Sequence, residues 1–203
     1  VVLTDAVIDK QDLDNIIKKS IENTFNAVTI DGDTSTNDTL LALASGYVNE
    51  NIDDIEREIS AVIRDLALLI VRDGEGATKF VEVRVEGAQS DESAKTVAMA
   101  VSNSLLVKTA LFGADPNWGR IMGAIGYSKA PIDQEKIRIM ISGHTVVELG
   151  REAQGFREEI LHGLLEKKEV SICISLGDGP GCFTAYTTDL SYDYVKINSE
   201  YRT

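Results

Sequence analysis

The sequence predicts an α/β (α+β) fold, a layered sandwich of helices and mixed sheets, on three observations. Apolar residues recur at helical spacing over residues 9–24, 52–70 and 91–111. The segment KFVEVRVEGA, residues 79–88, alternates Phe80, Glu82, Arg84 and Glu86 against Val81, Val83 and Val85, the period of a strand with one face inside. IRIMIS (137–142) and VSICISL (170–176), rich in Ile and Val, read as buried strands. Amphipathic helices and strands of both kinds must cover one another's apolar faces, which means packed layers.

The elements follow in chain order. The chain opens in apolar, strand-like VVLTDA, with neither Met nor a polar lead-in, and reads as a chain cut from something longer. In residues 9–24, Leu13, Ile16, Ile17 and Ile21 form one helical stripe. FNAVTI (25–30) reads as a short strand, and residues 37–48 as a second helix. Asn51 is placed to cap a third helix, with Asp53 and Asp54 in its first turn and Arg72 in its last. Gly74 then supplies a left-handed stop. Residues 91–111 read as one helix whose Ala94, Ala98 and Ser102 make a small-residue face, continued by Val101 and Leu105. A helix over 152–166 separates the two buried strands, and YDYVKINSEYRT closes the chain as a strand. No linker, repeat or low-complexity segment interrupts residues 1–203, so the expectation is one continuous domain.

Composition narrows the function classes. Twenty Lys+Arg against 33 Asp+Glu give a net charge of −13, which argues against non-specific nucleic-acid binding and against an anionic membrane surface. No apolar run approaches the roughly 20 residues that a bilayer span needs. Cys173 and Cys182 form no metal-ligand pattern, and two cysteines in this length fit a reducing compartment.

Four stretches carry candidate chemistry. TIDGDTSTNDT (29–39) sets a dense polar run between apolar flanks. Asp31, Asp33 and Ser35 have calcium-loop spacing, but Thr36 stands where the loop needs glycine and Ala42 where it needs a bidentate glutamate. A turn at Asp31–Gly32 and a helix cap at Thr36 or Asn37 account for about half of these polar groups; the remaining threonines suggest a hydroxyl-lined wall near an active centre. In RDGEGATK (72–79) Glu75 stands between two glycines, where a carboxylate can meet an ammonium group, although an exposed loop glutamate is the simpler reading. FGADPNWGRIMGAIG (112–126) and GDGPG (177–181) both fall short of a nucleotide fingerprint; Gly119 and Gly123 suggest instead a closely packed helix. His144 and His162 show no metal spacing, and no G-x-S-x-G elbow exists for a serine triad. The residues alone stop at an α/β domain with a hydroxyl-rich pocket.

Four blocks, FNAVTIDGDTSTNDT, DGEGATKF, GADPNWGRI and the terminal YDYVKINSEYRT, resemble the β chain of the arginine-biosynthesis glutamate/ornithine N-acetyltransferases. They come in the family's order across nearly the whole chain, and Leu3–Ala6 (LTDA) resembles the family just after its self-cleavage point. The resemblance implies the fold shared by these transferases and the self-processing aminopeptidases. It also implies a precursor that cuts itself in two, so that a single β-chain domain, here 1–203, completes a heterodimer with a separate α chain, as an α2β2 heterotetramer.

The family nucleophile is the threonine that cleavage makes amino-terminal. A threonine hydroxyl is a poor nucleophile at its ordinary pKa, and the freed α-amine beside it serves as base. The implied reaction is ping-pong acetyl transfer from N2-acetylornithine to glutamate, with oxyanion donors from the α chain. No catalytic residue is assigned within this chain: the threonine is expected just upstream of Val1, and Thr4 belongs to the LTDA block. Glu75, Asn198 and Thr203 match the family's substrate-binding positions. No metal and no cofactor are implied, with acetyl-CoA open as a co-substrate. The partners implied are the α chain and small amino acids, with no nucleic acid or membrane. The compartment implied is the cytoplasm, or a mitochondrial or plastid matrix in a eukaryote. Two alternatives stand beside this one: an amidohydrolase with the same kind of amino-terminal nucleophile, and a homologue serving an antibiotic pathway.

Overall fold

The computed structural model describes residues 1–200, and the expected ligand Thr203 lies outside them. The chain, expected as one continuous domain, groups into two compact units: residues 1–28 with 33–70, and residues 29–32 with 71–203.

The smaller unit is built from β1 (Val2–Ala6), α1 (Lys10–Glu22), β2 (Ala42–Val48) and α2 (Ile52–Arg72) as far as Ile70. The first helix starts where Asp9 accepts a hydrogen bond from the Asp12 N–H at 2.8 Å, satisfying one of the donors a helix leaves open at its start. Asn51 does the same for α2 through the Asp53 N–H at 2.9 Å. Ile16 from α1 and Ile55, Ile59 and Ile63 from α2 meet Val2 and Ala6 in one buried cluster. Each of the Ile and Val side chains contributes about 1.5–3 kcal/mol by leaving water.

Three expectations fail in this unit. FNAVTI is not a strand: Phe25–Ala27 form a 3-10 turn, stopped by the Val28 N–H bonding back to the Phe25 carbonyl. Residues 37–48 are not a helix either, because Ala42–Val48 pairs in parallel with β1, Val2 opposite Ala42 and Thr4 opposite Ala44. Leu41 and Leu43 face out while Ala42 and Ala44 face in, a period of two that short apolar text conceals, and Gly46 at φ +73° is incompatible with a helix. Finally, no cap at Thr36 or Asn37 starts a helix; Ser35 Oγ instead accepts from the Asn37 and Asp38 N–H groups in an exposed turn.

The larger unit is a six-stranded mixed sheet. Its strands are β3 (Phe80–Ala88), β4 (Arg138–Ile141), β5 (His144–Glu148), β6 (Arg151–Glu152), β7 (Glu169–Ser175) and β8 (Gly181–Thr188), in the spatial order β6-β5-β4-β7-β3-β8. Only β3 and β7 run parallel, Val83 opposite Ile172; the other neighbours are antiparallel. Val81, Val83 and Val85 are buried, as are Ile139 and Ile141 of β4 and Val170, Ile172 and Ile174 of β7. Helix α3 (Asp91–Ser102) packs across β3 and β8, and α5 (Trp118–Tyr127) packs behind it. The layered α/β class read from the sequence is the one observed.

Local differences have local causes. The single helix expected over 91–111 is two: α3 ends at Asn103, and α4 (Leu105–Phe112) restarts where Ser104 Oγ accepts from the Val107 N–H. Ser and Asn side chains compete for backbone groups in this way. The helix over 152–166 shortens to α6 (Glu158–Leu165), because Arg151–Glu152 pair with β5 and Gly155 turns the chain at φ +86°. Gly123 has nothing within 4 Å of where a Cβ would stand, so among the described residues the expected close packing is not made at that glycine. The closing segment is helix α7 (Tyr192–Glu200), not a strand. Ser191 Oγ accepts from the Tyr194 N–H at 3.1 Å, and this cap outweighs the strand preference of Tyr192, Tyr194 and Val195.

Candidate functional site

The site forms where three stretches of the larger unit meet: the loop after α2, the end of β8 with the start of α7, and residues 29–32. Glu75 sits in the loop, exposed. Gly74 does not supply the expected left-handed stop; the positive φ of this loop falls at Gly76, +66°, four residues past the end of α2. A Cβ on Gly76 would overlap the backbone of Asp193 and Tyr194, so the loop and the first turn of α7 touch backbone to backbone.

That approach is held on both sides. The Ser191 hydroxyl donates to the Gly76 carbonyl at 2.5 Å while its oxygen caps α7. Asp189, 3% exposed, accepts from the Thr78 and Lys79 N–H groups at 2.8 and 2.9 Å and from the Thr78 hydroxyl at 2.5 Å. A buried carboxylate with three donors is satisfied, and each donor it holds fixes part of the loop.

With the loop fixed, the Asn198 amide donates to Glu75 Oε2 at 3.1 Å and to the Tyr194 carbonyl at 3.0 Å. The two expected ligand residues, 123 positions apart in sequence, are thus in contact. One amide contact does not exhaust the lone-pair directions of a carboxylate, so an exposed pair of this kind can receive an ammonium group. The polar run 29–39 also reaches this corner: Tyr194 donates its hydroxyl hydrogen to Asp31 at 2.8 Å, and the Thr29 hydroxyl donates to Asn103 at 2.6 Å. Asp31 therefore braces α7 one turn before Asn198. Thr4, to which no catalytic role was assigned, lies in β1, where its hydroxyl accepts from the Ala6 N–H.

Beneath the site lies a residue that sequence reasoning missed. Lys108 of α4 is 1% exposed, and its ammonium donates to Thr187 Oγ1 at 2.8 Å, the Thr188 carbonyl at 2.6 Å and Thr188 Oγ1 at 3.4 Å. Burial pushes it down to about 8, against the opposing pull of the Asp189 and Asp31 carboxylates. The one charged residue in the largely apolar LLVKTALF was the signal available, since a charge on a buried face needs a built partner set. Asp189 carried no such signal. Among the described residues no group of three or more His, Cys, Asp or Glu converges as a metal site, and no helix is long and apolar enough to cross a membrane. His162 Nδ1 lies 2.9 Å from the Ala114 carbonyl, tying α6 to the loop before α5.

Gly76→Ala is expected to unseat α7. Strain at a positive φ costs about 1–3 kcal/mol before any overlap is counted. The Tyr194 amide should then exchange with solvent at least about tenfold faster; unchanged protection would mean that the backbone contact does not hold the helix.

Comparison with known proteins places this geometry. The ArgJ family model matches residues 1–203. The chain is 48% identical to the arginine biosynthesis bifunctional protein ArgJ of Geobacter sulfurreducens, over all of this chain and 53% of that protein. It is 43% identical to the glutamate N-acetyltransferase of Methanocaldococcus jannaschii, again over all of this chain and 53% of that protein. The chain thus spans about half the length of the curated relatives it matches. The crystal structure of the arginine biosynthesis bifunctional protein ArgJ from Bacillus halodurans superposes with a TM-score of 0.93 at 42% identity, covering 98% of both chains. Family match, identity and fold agree: this chain belongs to the ArgJ family.

Proposed function

We propose that this chain is the β-chain half of an acyltransferase that moves an acetyl group from N2-acetylornithine to glutamate. The observation that carries the reading is the Glu75–Asn198 pair, an exposed carboxylate oriented by an amide, in a chain of the ArgJ family. The side-chain ammonium of acetylornithine is the complementary group.

The steps balance without a cofactor. A threonine just upstream of Val1, freed by self-cleavage, gives its hydroxyl proton to its own α-amine and attacks the acetyl carbonyl. The carbon–nitrogen bond breaks, the proton passes to the leaving α-amine, and ornithine departs from a threonyl acetyl ester. The α-amine of glutamate attacks that ester, forming N-acetylglutamate and restoring the hydroxyl. Donors on an α chain from the same precursor stabilise the oxyanion in both halves, and two such pairs form an α2β2 assembly. Acetyl-CoA as a second donor to the same threonine is part of this proposal. The reaction belongs to the cytoplasm, or to an organelle matrix in a eukaryote.

The test is incubation of the complete two-chain protein with N-acetylornithine and glutamate, with and without acetyl-CoA. Ornithine and N-acetylglutamate should form in equal amounts with no acetyl-CoA present. Release of acetate in place of N-acetylglutamate would assign the chain to the hydrolases.

A further inference from the structure

We propose that Lys108 is a positioning residue for the substrate site, fixing the end of β8 and, through Asp189, the loop that carries Glu75. The inference rests on Glu75 and Asn198 being the substrate contacts.

The tract Thr187–Ser191 alternates between two partners. Thr187 and Thr188 turn to the Lys108 ammonium. The Leu190 N–H bonds to the Lys108 carbonyl at 3.3 Å. Between them Asp189 turns the other way, to Thr78 and Lys79, and Ser191 follows it to Gly76. One residue of α4 thus grips the tract on both sides of Asp189, by side chain and by backbone. The grip continues inward, since the Thr187 hydroxyl donates onward to the Ser102 carbonyl at 3.2 Å.

A core filler at this position would be apolar, because burying an ammonium is costly even when it is hydrogen-bonded, and an apolar side chain of the same volume often serves stability as well. What the apolar side chain does not provide is direction. Three N–H groups meet three acceptors on two consecutive residues, which sets the rotation of the strand end and hence the side to which Asp189 points. The loop inherits its position from Asp189, and Glu75 inherits it from the loop. Lys108 itself is too buried to touch substrate.

The experiment compares Lys108→Met, Glu75→Gln and the double variant in the complete two-chain protein, measuring KM and kcat for N-acetylornithine, with Thr187→Val as a milder disruption that keeps the lysine. Lys108→Met should raise KM by about tenfold or more, the scale of losing a hydrogen bond to a charged group, with kcat changed much less. In the Glu75→Gln background it should add nothing, because the two act on one contact. If Lys108→Met fails to assemble, Thr187→Val carries the same comparison with a smaller rise. Glu75→Gln raising KM while Lys108→Met or its substitute leaves it unchanged overturns the inference, and so do effects that multiply in the double variant. An unchanged KM in Glu75→Gln is a different failure: it removes the substrate reading beneath the inference.

Discussion

Replacing Glu75 by Ala in the proposed two-chain enzyme should raise KM for N-acetylornithine by about tenfold to a hundredfold, the equivalent of about 1.5–3 kcal/mol for a hydrogen bond to a charged group. The effect should be unequal between substrates. Acetylornithine brings a side-chain ammonium and glutamate brings a side-chain carboxylate, so the lost carboxylate should weaken the first and leave KM for the second nearly unchanged. Because Glu75 is exposed and, among the described residues, bonds only to Asn198, stability should hardly move. Steady-state kinetics with each substrate varied in turn checks the asymmetry. Equal KM values for wild type and variant would make Glu75 an ordinary loop residue.

Asp189→Ala should have the largest effect on stability. It leaves the Thr78 and Lys79 N–H groups and the Thr78 hydroxyl without their acceptor, and it takes one of two nearby carboxylates from the buried Lys108 ammonium. Uncompensated buried polar and charged groups cost about 3–5 kcal/mol when a partner is removed, which in a chain of this size lowers Tm by about 6–20 °C. Asp189→Asn should cost less, since an amide oxygen still accepts from the backbone. Calorimetry on the three proteins gives the ranking, and an alanine variant as stable as wild type would mean that the loop is held by other contacts.

What the sequence disclosed depended on how far apart the deciding residues were. Elements whose cause is local were legible: Asn51 caps α2 from the adjacent position, and the valines of β3 alternate within nine residues. Elements whose cause is distant were not. The run LLALASGYV is a strand because β1, some forty residues earlier, lies beside it with Val2 opposite Ala42. The tail YDYVKINSE is a helix because Ser191 caps it, and the strand preferences of its aromatic residues masked that signal. The segment GCFTAYTT, which forms β8, went unnoticed because its alternation includes Thr and Ala rather than large apolar residues.

The site divides in the same way. Glu75 and Asn198 came from resemblance, and the structure adds that they touch. Lys108 and Asp189 came only from the structure, because a buried ion is defined by partners that are remote in sequence. The polar run at 29–39 also resolves unevenly: Thr29 and Asp31 bond to Asn103 and Tyr194, whereas Ser35, Asn37 and Asp38 serve an exposed turn.

The central claim is an acetyl group carried on this protein between donor and acceptor. Its most direct test is the intact mass of both chains after mixing the complete protein with N-acetylornithine alone and quenching in acid. The account predicts a gain of one acetyl group on the chain that contains Glu75 and Asn198, at its amino-terminal threonine, and loss of that gain when glutamate is added before the quench. Ornithine released with neither chain heavier, or an acetyl group that glutamate does not remove, would contradict it.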